Sequence, residues 1–575
     1  MFEVGVGKQE INCITGGVGM LGYGRAGNDA YEMETPLYSR AFAIRSTGQE
    51  KLMLFVNIEI CFPTIPLKKA VLEQLNQLYS FGFCDSNVMI TAQHTHSAPG
   101  GIDHPVFYNT SVPGHRQNVF DSYVTAIVES TKMAIESMQP AVIKFHKAAF
   151  DEQKEVAFNR SLEPYNKNPE AQHAYSEKEA HLAIDRTMKL LRFETLEGEL
   201  IGCLNWFGVH TTSISNDNTK VCSDNKGYAA TFLEQAMNKA KNGKVVTAFA
   251  QDAAGDVTPN FIWDKKKKWL RGKFEDDFES AQYNGQLQAD HAAAMLDAAK
   301  ETSTVKEDID CLTLFFDMGN VDVSPEYTNG QEGKMTSPAC IGMSFFGGTK
   351  EGPGVPRPVI NMVNLVISFG ALFEKVVYRA TLPKEGKKAL DRKFAAQYPK
   401  AIAMELGIGR IFLVTKMSRV FFVPDFVDPM VQYFRRLGKE GHLEVSPWGP
   451  TVMPLQIMIL GNLAIVGIPA EITTVAGDRL RKSLHKILAE RGIEEVILSP
   501  YANGYAGYIT TNEEYQLQLY EGGHTLFGQW TLAGYQTNFE KVAKELLKPE
   551  EERLKSTTLH QPFFVPEEKL WRGFK

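Results

Sequence analysis

Two kinds of hydrophobic pattern alternate along the sequence, and this alternation restricts the chain to a small set of folds. Short apolar runs rich in β-branched residues are typical of buried strands, and they occur at Leu52 to Ile60, Val88 to Thr91, Val245 to Ala250 and Leu463 to Ile468. Between them lie segments in which, for the most part, apolar residues recur at every third or fourth position, as in helices: Pro66 to Tyr79, Tyr123 to Met138, Lys226 to Lys241, Gly285 to Thr302 and Thr473 to Arg491. The alternation predicts an α/β fold with a mixed β-sheet core flanked by helices and long loops.

The charge balance argues against a nucleic-acid partner. The chain has 61 Lys and Arg residues and 68 Asp and Glu residues, which gives a net charge of −7. We find no block of basic residues suited to binding along a phosphate backbone. Hydrophobic residues make up 43% of the chain, enough for a large core. We expect one large catalytic domain over residues 1–546 and a charged, proline-containing C-terminal tail over residues 547–575.

The sequence shows no pattern typical of export or membrane insertion. The start, MFEVGVGKQEINC, lacks a charged segment followed by an apolar one, so we expect no secretory signal peptide. The longest apolar stretch, Val359 to Phe373, is interrupted by polar residues and falls short of the roughly 20 residues that a spanning helix needs. Seven cysteines without a CxxC pair predict mostly reduced, buried thiols. The expectation is a soluble, cytoplasmic protein, unless the sequence is a shortened form or leaves the cell by another route.

One glycine-rich motif fits two interpretations. Residues Gly17 to Gly22 satisfy GxGxxG, which is found in dinucleotide-binding loops, but a convincing strand before it and a helix after it are both missing. A glycine-rich loop that shapes the wall of a pocket is the better interpretation.

The strongest chemical signal is a pair of histidines at the end of an apolar run. In VMITAQHTHSAPGG, His94 and His96 are two residues apart, and such residues on an extended segment point the same way. The pair is suited to binding zinc, or to one histidine binding while the other donates a hydrogen bond. Two hydrogen-bonded structural histidines are the alternative. A third histidine, His210, ends the run LNWFGVH, and in isolation such a residue is more often structural.

A polar loop follows another predicted strand. In FAQDAAGDVTPN, residues 249–260, Asp256 and Thr258 fit a reactive or assisting hydroxyl with its orienting groups. A turn in which an Asp side chain caps the backbone explains the same pattern.

Taken together, these segments resemble the neutral ceramidase family. The resemblance runs over nearly the whole chain in the same order, through MLGYGRAGN, LYSRAFAI, AQHTHSAPGG, FNRS, NWFGVHTTS, SDNKGYAA, GDVTPN, GMSFFGGTKEGPG, PWGPTVMPLQI, PAEITTVAGDRLR, YANGYAGYITTNEEY and YEGGHTLFGQWTLAGYQ. It implies a ceramidase-like amidohydrolase that uses zinc to cleave the amide bond of ceramide (N-acylsphingosine) to sphingosine and a fatty acid. Ceramide or a related N-acyl lipid is therefore the expected partner.

The resemblance also implies a metal site. One zinc ion per chain would be held by His94, His210, Glu471 and Tyr508. Neutral imidazoles and a carboxylate are ordinary zinc ligands, and a phenolate serves once the metal has lowered its proton affinity. Without the resemblance, Glu471 would be a routine glutamate at the start of a helix.

Four further residues receive roles from the resemblance. His96, Arg160 and Tyr520 would position the substrate and stabilise the oxyanion that develops on the carbonyl. Thr258 stands where the family normally has a serine; it keeps the hydroxyl but adds a methyl group and a stiffer rotamer. Either Thr258 attacks the amide itself, or it assists a water molecule that zinc activates. We favour the assisting role.

Other departures concern the loop before Thr258 and the C-terminus. Asp252 and Ala253 replace a hydroxyl residue and an Asn of the family. Full-length members carry a C-terminal immunoglobulin-like domain, which we do not expect in this chain. The apolar segment Pro356 to Val377, with Phe345 and Phe346 nearby, is expected to line an acyl tunnel, to make transient contact with a membrane surface, or to form plain core.

Two other functions stay open at this point. Thr258 and the altered loop before it fit a zinc amidase for another N-acyl amine. A non-catalytic lipid-binding relative is the third alternative, against which the intact ligand set argues.

Overall fold

Two mixed β-sheets form the centre of the computed structural model, which describes residues 1–25, 27–112, 114–239, 245–407, 410–411, 415–416, 435–441, 448–449 and 451–573. The larger sheet, within this part of the chain, has eight strands: β1 (Phe2–Glu10), β2 (Tyr38–Ser46), β3 (Lys51–Ile58), β4 (Val88–Ala92), β5 (Gln139–Ala149), β6 (Thr187–Thr195), β7 (Leu200–Trp206) and β8 (Val246–Ala250). Their spatial order is β8-β7-β6-β5-β1-β2-β3-β4.

The smaller sheet has four strands in the order of the sequence: β9 (Ile309–Asp317), β10 (Val452–Leu460), β11 (Leu463–Ile468) and β12 (Glu495–Pro500). Strand pairs β3/β4, β7/β8 and β11/β12 are parallel, and the other neighbours are antiparallel. The predicted α/β fold with a mixed sheet is confirmed, with two mixed sheets in place of one.

Helices cover the outer faces of both sheets. The longer ones among the described residues are α1 (Ile65–Leu78), α2 (Gln117–Glu136), α3 (Asp224–Lys239), α4 (Asp277–Ala299), α5 (Arg357–Phe373), α6 (Lys384–Gln397), α7 (Thr474–Leu488) and α8 (Thr531–Leu546). Helices α2, α3 and α4 pack on the larger sheet, and α7 and α8 pack on the smaller one. The five helices predicted from periodicity are all present, although residues 240–241 of one prediction lie outside the described residues.

The two sheets pack face to face, so the protein has four layers. Side chains alternate along β1: Val4 and Val6 share a core with residues of the smaller sheet such as Ile497, whereas Gly5 and Gly7 face α2. A Cβ atom on Gly5 would lie 1.9 Å from a carbonyl oxygen of α2, and one on Gly7 would lie 2.0 Å from another. These glycines therefore let α2 lie directly against the sheet.

The larger sheet is strongly curled. Its edge strand β8 lies in contact with β1, β2 and β3, although three strands separate β8 from β1 in the hydrogen-bonded order. The curl explains how the segments that follow β4 and β7, which are distant in that order, reach the same place.

Helix α5 with its continuation is longer than the apolar stretch that the sequence shows. It continues through a π-helical turn, Glu374–Tyr378, and a last turn, Arg379–Thr381, to a total of 25 residues. By length and composition alone, this one helix of the described chain is long and apolar enough to cross a membrane, which the interrupted stretch Val359 to Phe373 did not predict. The described helix packs against the body through Ile360, Ile367 and Gly370.

Loops, tail and cysteines follow the expectations in part. Residues 327–356 consist of short strands, 3₁₀ turns and irregular segments. Beyond α8, Val565 and Trp571 are buried against the body, and the His115 N–H donates to the Trp571 carbonyl oxygen at 2.6 Å. The division of the chain at residue 546 stays a prediction. All seven cysteines are free thiols, and four of them are buried: Cys61, Cys203, Cys222 and Cys340.

Candidate active site

Three of the predicted metal ligands converge in the interior. The Nε2 atom of His210 lies 3.0 Å from one carboxylate oxygen of Glu471, and Nε2 of His94 lies 3.4 Å from the other. All three side chains are buried. The two histidines follow strands β7 and β4 of the larger sheet, whereas Glu471 follows β11 of the smaller sheet. The site therefore lies where the two sheets meet.

The surroundings of the two histidines determine their tautomers. Nδ1 of His94 lies 2.7 Å from the Cys61 carbonyl oxygen, and Nδ1 of His210 lies 2.6 Å from the carbonyl oxygen of Ala254. Because a carbonyl oxygen only accepts, each Nδ1 carries a proton, and Nε2 is the ring nitrogen that faces Glu471. Carbonyls that orient histidines in this way are typical of metal sites.

Glu471 is held as a carboxylate. Burial would raise its pKa, but the facing His94 and the hydrogen bonds from His210 and His94 hold that pKa well below its usual range. The hydroxyl groups of Tyr501, at 3.2 Å, and Tyr505 donate to its two oxygens and fix its orientation.

Tyr508 lies beside Glu471. The two residues are Cα partners in a two-stranded parallel pair, Glu471–Ile472 with Tyr508–Ile509. The Tyr508 hydroxyl accepts a hydrogen bond from Nη2 of Arg160 at 3.0 Å. Two imidazole nitrogens, a carboxylate and a phenol that line one cavity form a donor set that fits zinc.

His96 faces the same site, but for a different reason than predicted. Its Nε2 lies 3.1 Å from Nε2 of His94. The segment is not extended, because His94 has a φ of 78° in the left-handed region. A Cβ atom on Gly22 would lie 2.3 Å from the His96 ring, so this glycine leaves room for the imidazole. The glycine-rich loop forms a pocket wall, as the second of its two interpretations predicts.

Arg160 connects several groups of the site. Its Nε donates to Glu521 at 3.1 Å, Nη1 donates to Glu351, and Nη2 donates to Tyr508 and, at 2.9 Å, to the Gly255 carbonyl oxygen. Four hydrogen bonds thus use most of its five N–H donors. The geometry shows Arg160 holding Tyr508 and two carboxylates in place.

Glu351 is a site residue that the sequence patterns did not identify. It is buried, and one carboxylate oxygen accepts from the Thr258 hydroxyl and, at 2.9 Å, from the Asn260 side-chain amide, while the other accepts from Arg160. Burial would raise its pKa, but Arg160 and His210 outweigh this effect and lower the pKa. Its position in GGTKEGPG, an acid among glycines inside a matching stretch, was the available signal.

Thr258 is held from two sides. It lies in a short strand, Val257–Thr258, paired with Phe158–Asn159. Its hydroxyl donates to Glu351 and accepts from the Asn260 N–H at 3.0 Å. Glu351 lines the cavity described below, whereas Thr258 does not.

The two aspartates of the preceding loop are structural. Asp256 accepts from the Thr474 N–H at 2.8 Å, at the start of α7, as the capping interpretation predicts. Asp252 pairs with Lys189 at 2.7 Å and with Arg481 at 2.9 Å. The loop that departs from the family pattern is therefore supported by its own ion pairs.

One cavity of about 920 Å³ is lined by most residues of the site. Its polar lining includes His94, His96, His210, Arg160, Glu351, Glu471, Tyr508 and Tyr520. Apolar and aromatic side chains line the rest, among them Phe62, Phe107, Phe345, Phe346, Val359 and Met404. His524 also lies on the wall and was missed by the sequence patterns.

The predicted apolar lining is present in part. Phe345, Phe346 and Val359 line the cavity, and the Tyr520 ring stacks on Phe345 with 5.4 Å between centroids. Phe369 and Phe373, which belong to the same predicted stretch as Val359, are exposed on the protein surface. The exposed residues of the lining, such as Arg25 and Pro356, mark the mouth of the cavity.

Comparison with known proteins gives consistent matches. A family model described as neutral/alkaline non-lysosomal ceramidase, N-terminal, matches residues 2–417 and 437–537. The neutral ceramidase of Pseudomonas aeruginosa is 32% identical over 549 residues, which cover 95% of this chain and 72% of that protein. Its crystal structure matches with a TM-score of 0.75 at 30% identity, covering 98% of this chain and 76% of the other. A solved ceramidase complexed with C2 matches with a TM-score of 0.77 at 30% identity, covering 98% and 77%.

Proposed function

The chain belongs to the neutral/alkaline non-lysosomal ceramidase family, and from this membership we propose that it hydrolyses the amide bond of ceramide to sphingosine and a fatty acid. The observation that carries the proposal is the meeting of His94, His210 and Glu471 in a cavity that also has an apolar lining. Ceramide has the matching chemistry, since one polar amide joins two long hydrocarbon chains.

We propose that His94, His210, Glu471 and Tyr508 hold one zinc ion. The position of Nε2 of both histidines beside Glu471, and the fixed orientation of that carboxylate, support this assignment. A bound zinc ion supplies Lewis-acid polarisation of the amide carbonyl and activation of a water molecule. Arg160 keeps the Tyr508 oxygen in position through its hydrogen bond.

The other residues of the site bind and orient the substrate in this proposal. His96 is uncharged, because burial and the neighbouring His94 lower its pKa well below its usual value. His96 and Tyr520 line the cavity next to the proposed ligands, where they contact the amide and the polar head of the substrate. Arg160 acts mainly by positioning Tyr508 and Glu351.

Thr258 acts as an assisting group rather than as a nucleophile. Its hydroxyl proton is directed at Glu351, which lines the cavity, whereas Thr258 itself does not. We therefore propose that Thr258 keeps Glu351 oriented toward the reacting groups while a water molecule attacks the amide.

The direct test is a substrate screen on zinc-loaded protein by mass spectrometry. Ceramides and other N-acyl amines are incubated separately, and both products are quantified. We expect equal amounts of sphingosine and fatty acid from ceramide. Hydrolysis confined to N-acyl amines without a sphingoid base would indicate another amidase, and binding of ceramide without hydrolysis would indicate a lipid-binding relative.

Substitutions of Thr258 test the mechanism. Thr258→Ala removes one hydrogen bond to a charged group, so we expect kcat/KM for ceramide to fall by about 10- to 150-fold, equivalent to about 1.5 to 3 kcal/mol. Thr258→Ser keeps the hydroxyl and should retain most of the activity. If Thr258 were the nucleophile, the alanine variant would show no appreciable turnover, and mass spectrometry would trap an acylated Thr258.

Phe346→Asp tests whether the acyl chain lies along the apolar wall. Each buried methylene contributes about 0.8 kcal/mol, so a chain about eight carbons longer should raise kcat/KM by at least about 100-fold in the unmodified protein. A carboxylate at Phe346 disfavours the apolar chain, and the long-to-short ratio should fall by about tenfold. Phe563→Asp, at an exposed phenylalanine outside this cavity, is the control. A ratio near one in the unmodified protein would remove the case for a lipid substrate.

A further inference from the structure

Helix α5 and its continuation to Thr381 present an apolar face to solvent. Leu365 and Phe369 are 65% and 74% exposed. The same face carries four further apolar side chains, each at least half exposed: Met362, Leu372, Phe373 and Val376. These residues recur at intervals of three and four, so they form one continuous stripe on the helix. Contiguous exposed apolar surface of this kind marks an interaction site on a soluble protein.

Beside the apolar contacts of Ile360 and Ile367, the inner face of the helix also buries a charged residue at its far end. Glu374 is buried and accepts from Lys393 at 2.9 Å, and Lys393 also pairs with Glu405 at 2.8 Å. A surface helix normally buries its apolar side and exposes its charges. Because this helix buries a glutamate while most of its large apolar side chains are exposed, its outer face suits a non-aqueous environment.

The apolar face begins at the mouth of the cavity. Pro356, which precedes the helix, and Val359, in its first turn, both line the cavity. The Val355 N–H donates to the Phe346 carbonyl oxygen at 2.7 Å, which ties the start of the helix to the apolar wall. A hydrocarbon chain therefore finds apolar surface from the outer face into the cavity.

The far end of the helix is basic. Between Lys375 and Arg392 the sequence has six basic residues and two acidic ones, a local charge of +4 in a chain whose net charge is −7. Arg379 is paired with Asp391 at 2.7 Å, while Lys384 and Lys388 are exposed on the following helix α6. This charge is complementary to anionic lipid headgroups.

We propose that the outer face of α5 docks on the surface of a lipid bilayer. The helix lies in the plane of the interface with Leu365, Phe369 and their neighbours among the acyl chains, and the basic residues contact anionic headgroups. The cavity mouth then faces the lipid, so a substrate enters without crossing water. That last point rests on the proposed function, whereas the docking itself does not.

The test measures sedimentation of the full chain with vesicles of phosphatidylcholine, with and without phosphatidylserine. We expect binding to the mixed vesicles, and at least about tenfold weaker binding for the double variant Leu365→Ser/Phe369→Ser. Both side chains are exposed, so the substitutions leave the core intact. Leu196→Ser, at a leucine 57% exposed in a turn after β6, is the matched control and should bind like the unmodified protein.

Charge reversal provides a second measurement. Lys384→Glu and Lys388→Glu should each weaken binding to the mixed vesicles by about fivefold or more and leave binding to pure phosphatidylcholine unchanged. The proposal is overturned if the unmodified protein stays in the supernatant, or if the double variant binds as well as the control. It is also overturned if ultracentrifugation shows a dimer that the double variant converts to a monomer, because the face would then bind a second copy.

Catalysis separates this proposal from the proposed function. In the double variant, kcat/KM for a short-chain, water-soluble amide should stay unchanged, while turnover of ceramide in mixed vesicles falls by about tenfold. Vesicle binding without any ceramide hydrolysis would overturn the proposed function and leave the docking surface standing. Ceramide hydrolysis without vesicle binding would support the proposed function and overturn the docking surface.

Discussion

Replacing His210 or His94 by alanine is expected to lower kcat/KM for ceramide by at least about 1,000-fold and to remove most of the bound zinc. The unmodified protein should contain about one zinc ion per chain, because two imidazoles, a carboxylate and a phenol converge in one buried site. Losing one of these ligands removes Lewis-acid stabilisation worth several kcal/mol. Elemental analysis and steady-state kinetics on the same preparations check both expectations.

His291→Ala is the control for this experiment. His291 stacks on Phe150 and lies 3.2 Å from the Ala148 carbonyl oxygen, away from the cavity. Its loss should leave zinc content and activity unchanged. Circular dichroism establishes that each variant is folded. Full zinc content and activity in both ligand variants, or full activity after chelation, would show that the metal site is misplaced.

Glu351→Gln should reduce kcat/KM for ceramide by about 100-fold. The substitution keeps the shape of the side chain but removes the charge that faces Arg160 and leaves one acceptor oxygen for three donors, Arg160, Thr258 and Asn260. Breaking a buried ion pair leaves an uncompensated charge, which costs about 3 to 5 kcal/mol and disturbs the groups that Arg160 holds. We therefore expect an effect near the upper end of the range for Thr258→Ala, together with a lower melting temperature.

Glu514→Gln is the matched control for Glu351→Gln. Glu514 is also a buried glutamate, bonded to Thr473 at 2.7 Å and to Asn168 at 2.9 Å, but it does not line the cavity. Burial and the neighbouring Asp256 raise its pKa to about 7, so the amide replaces a group that is already partly protonated at neutral pH. Activity should be retained. Equal kinetics for the Glu351 variant and this control would show that Glu351 has no part in the reaction.

Local patterns predict the elements of the fold well. The strand predicted at Leu463 to Ile468 has those bounds, and the helix predicted at Pro66 to Tyr79 spans Ile65–Leu78. Both depend on the spacing of apolar residues within a few turns, which the sequence displays directly. Periodicity does not show which environment an apolar face meets, so the exposure of the α5 face could not be predicted.

The site depends on contacts between distant residues. Thr258 and Glu351 are separated by 93 positions, and no spacing rule connects them. Glu471 resembles any glutamate at the start of a helix until His94 and His210 are seen beside it. The resemblance to a family supplied the assignments of Thr258 and Glu471, while Glu351 and the hydrogen bonds that orient each side chain required the three-dimensional structure.

Because the site lies between the two sheets, the residues that form it are synthesised at widely separated times. The strands that precede His94 and His210 are synthesised long before β11, the strand that precedes Glu471. A nascent chain therefore contains both histidines before Glu471 has been synthesised. Under the proposed function, hydrolysis requires the second sheet to pack against the first, because neither sheet alone carries all three side chains. Measured hydrolysis would therefore indicate that both sheets have folded and packed against each other.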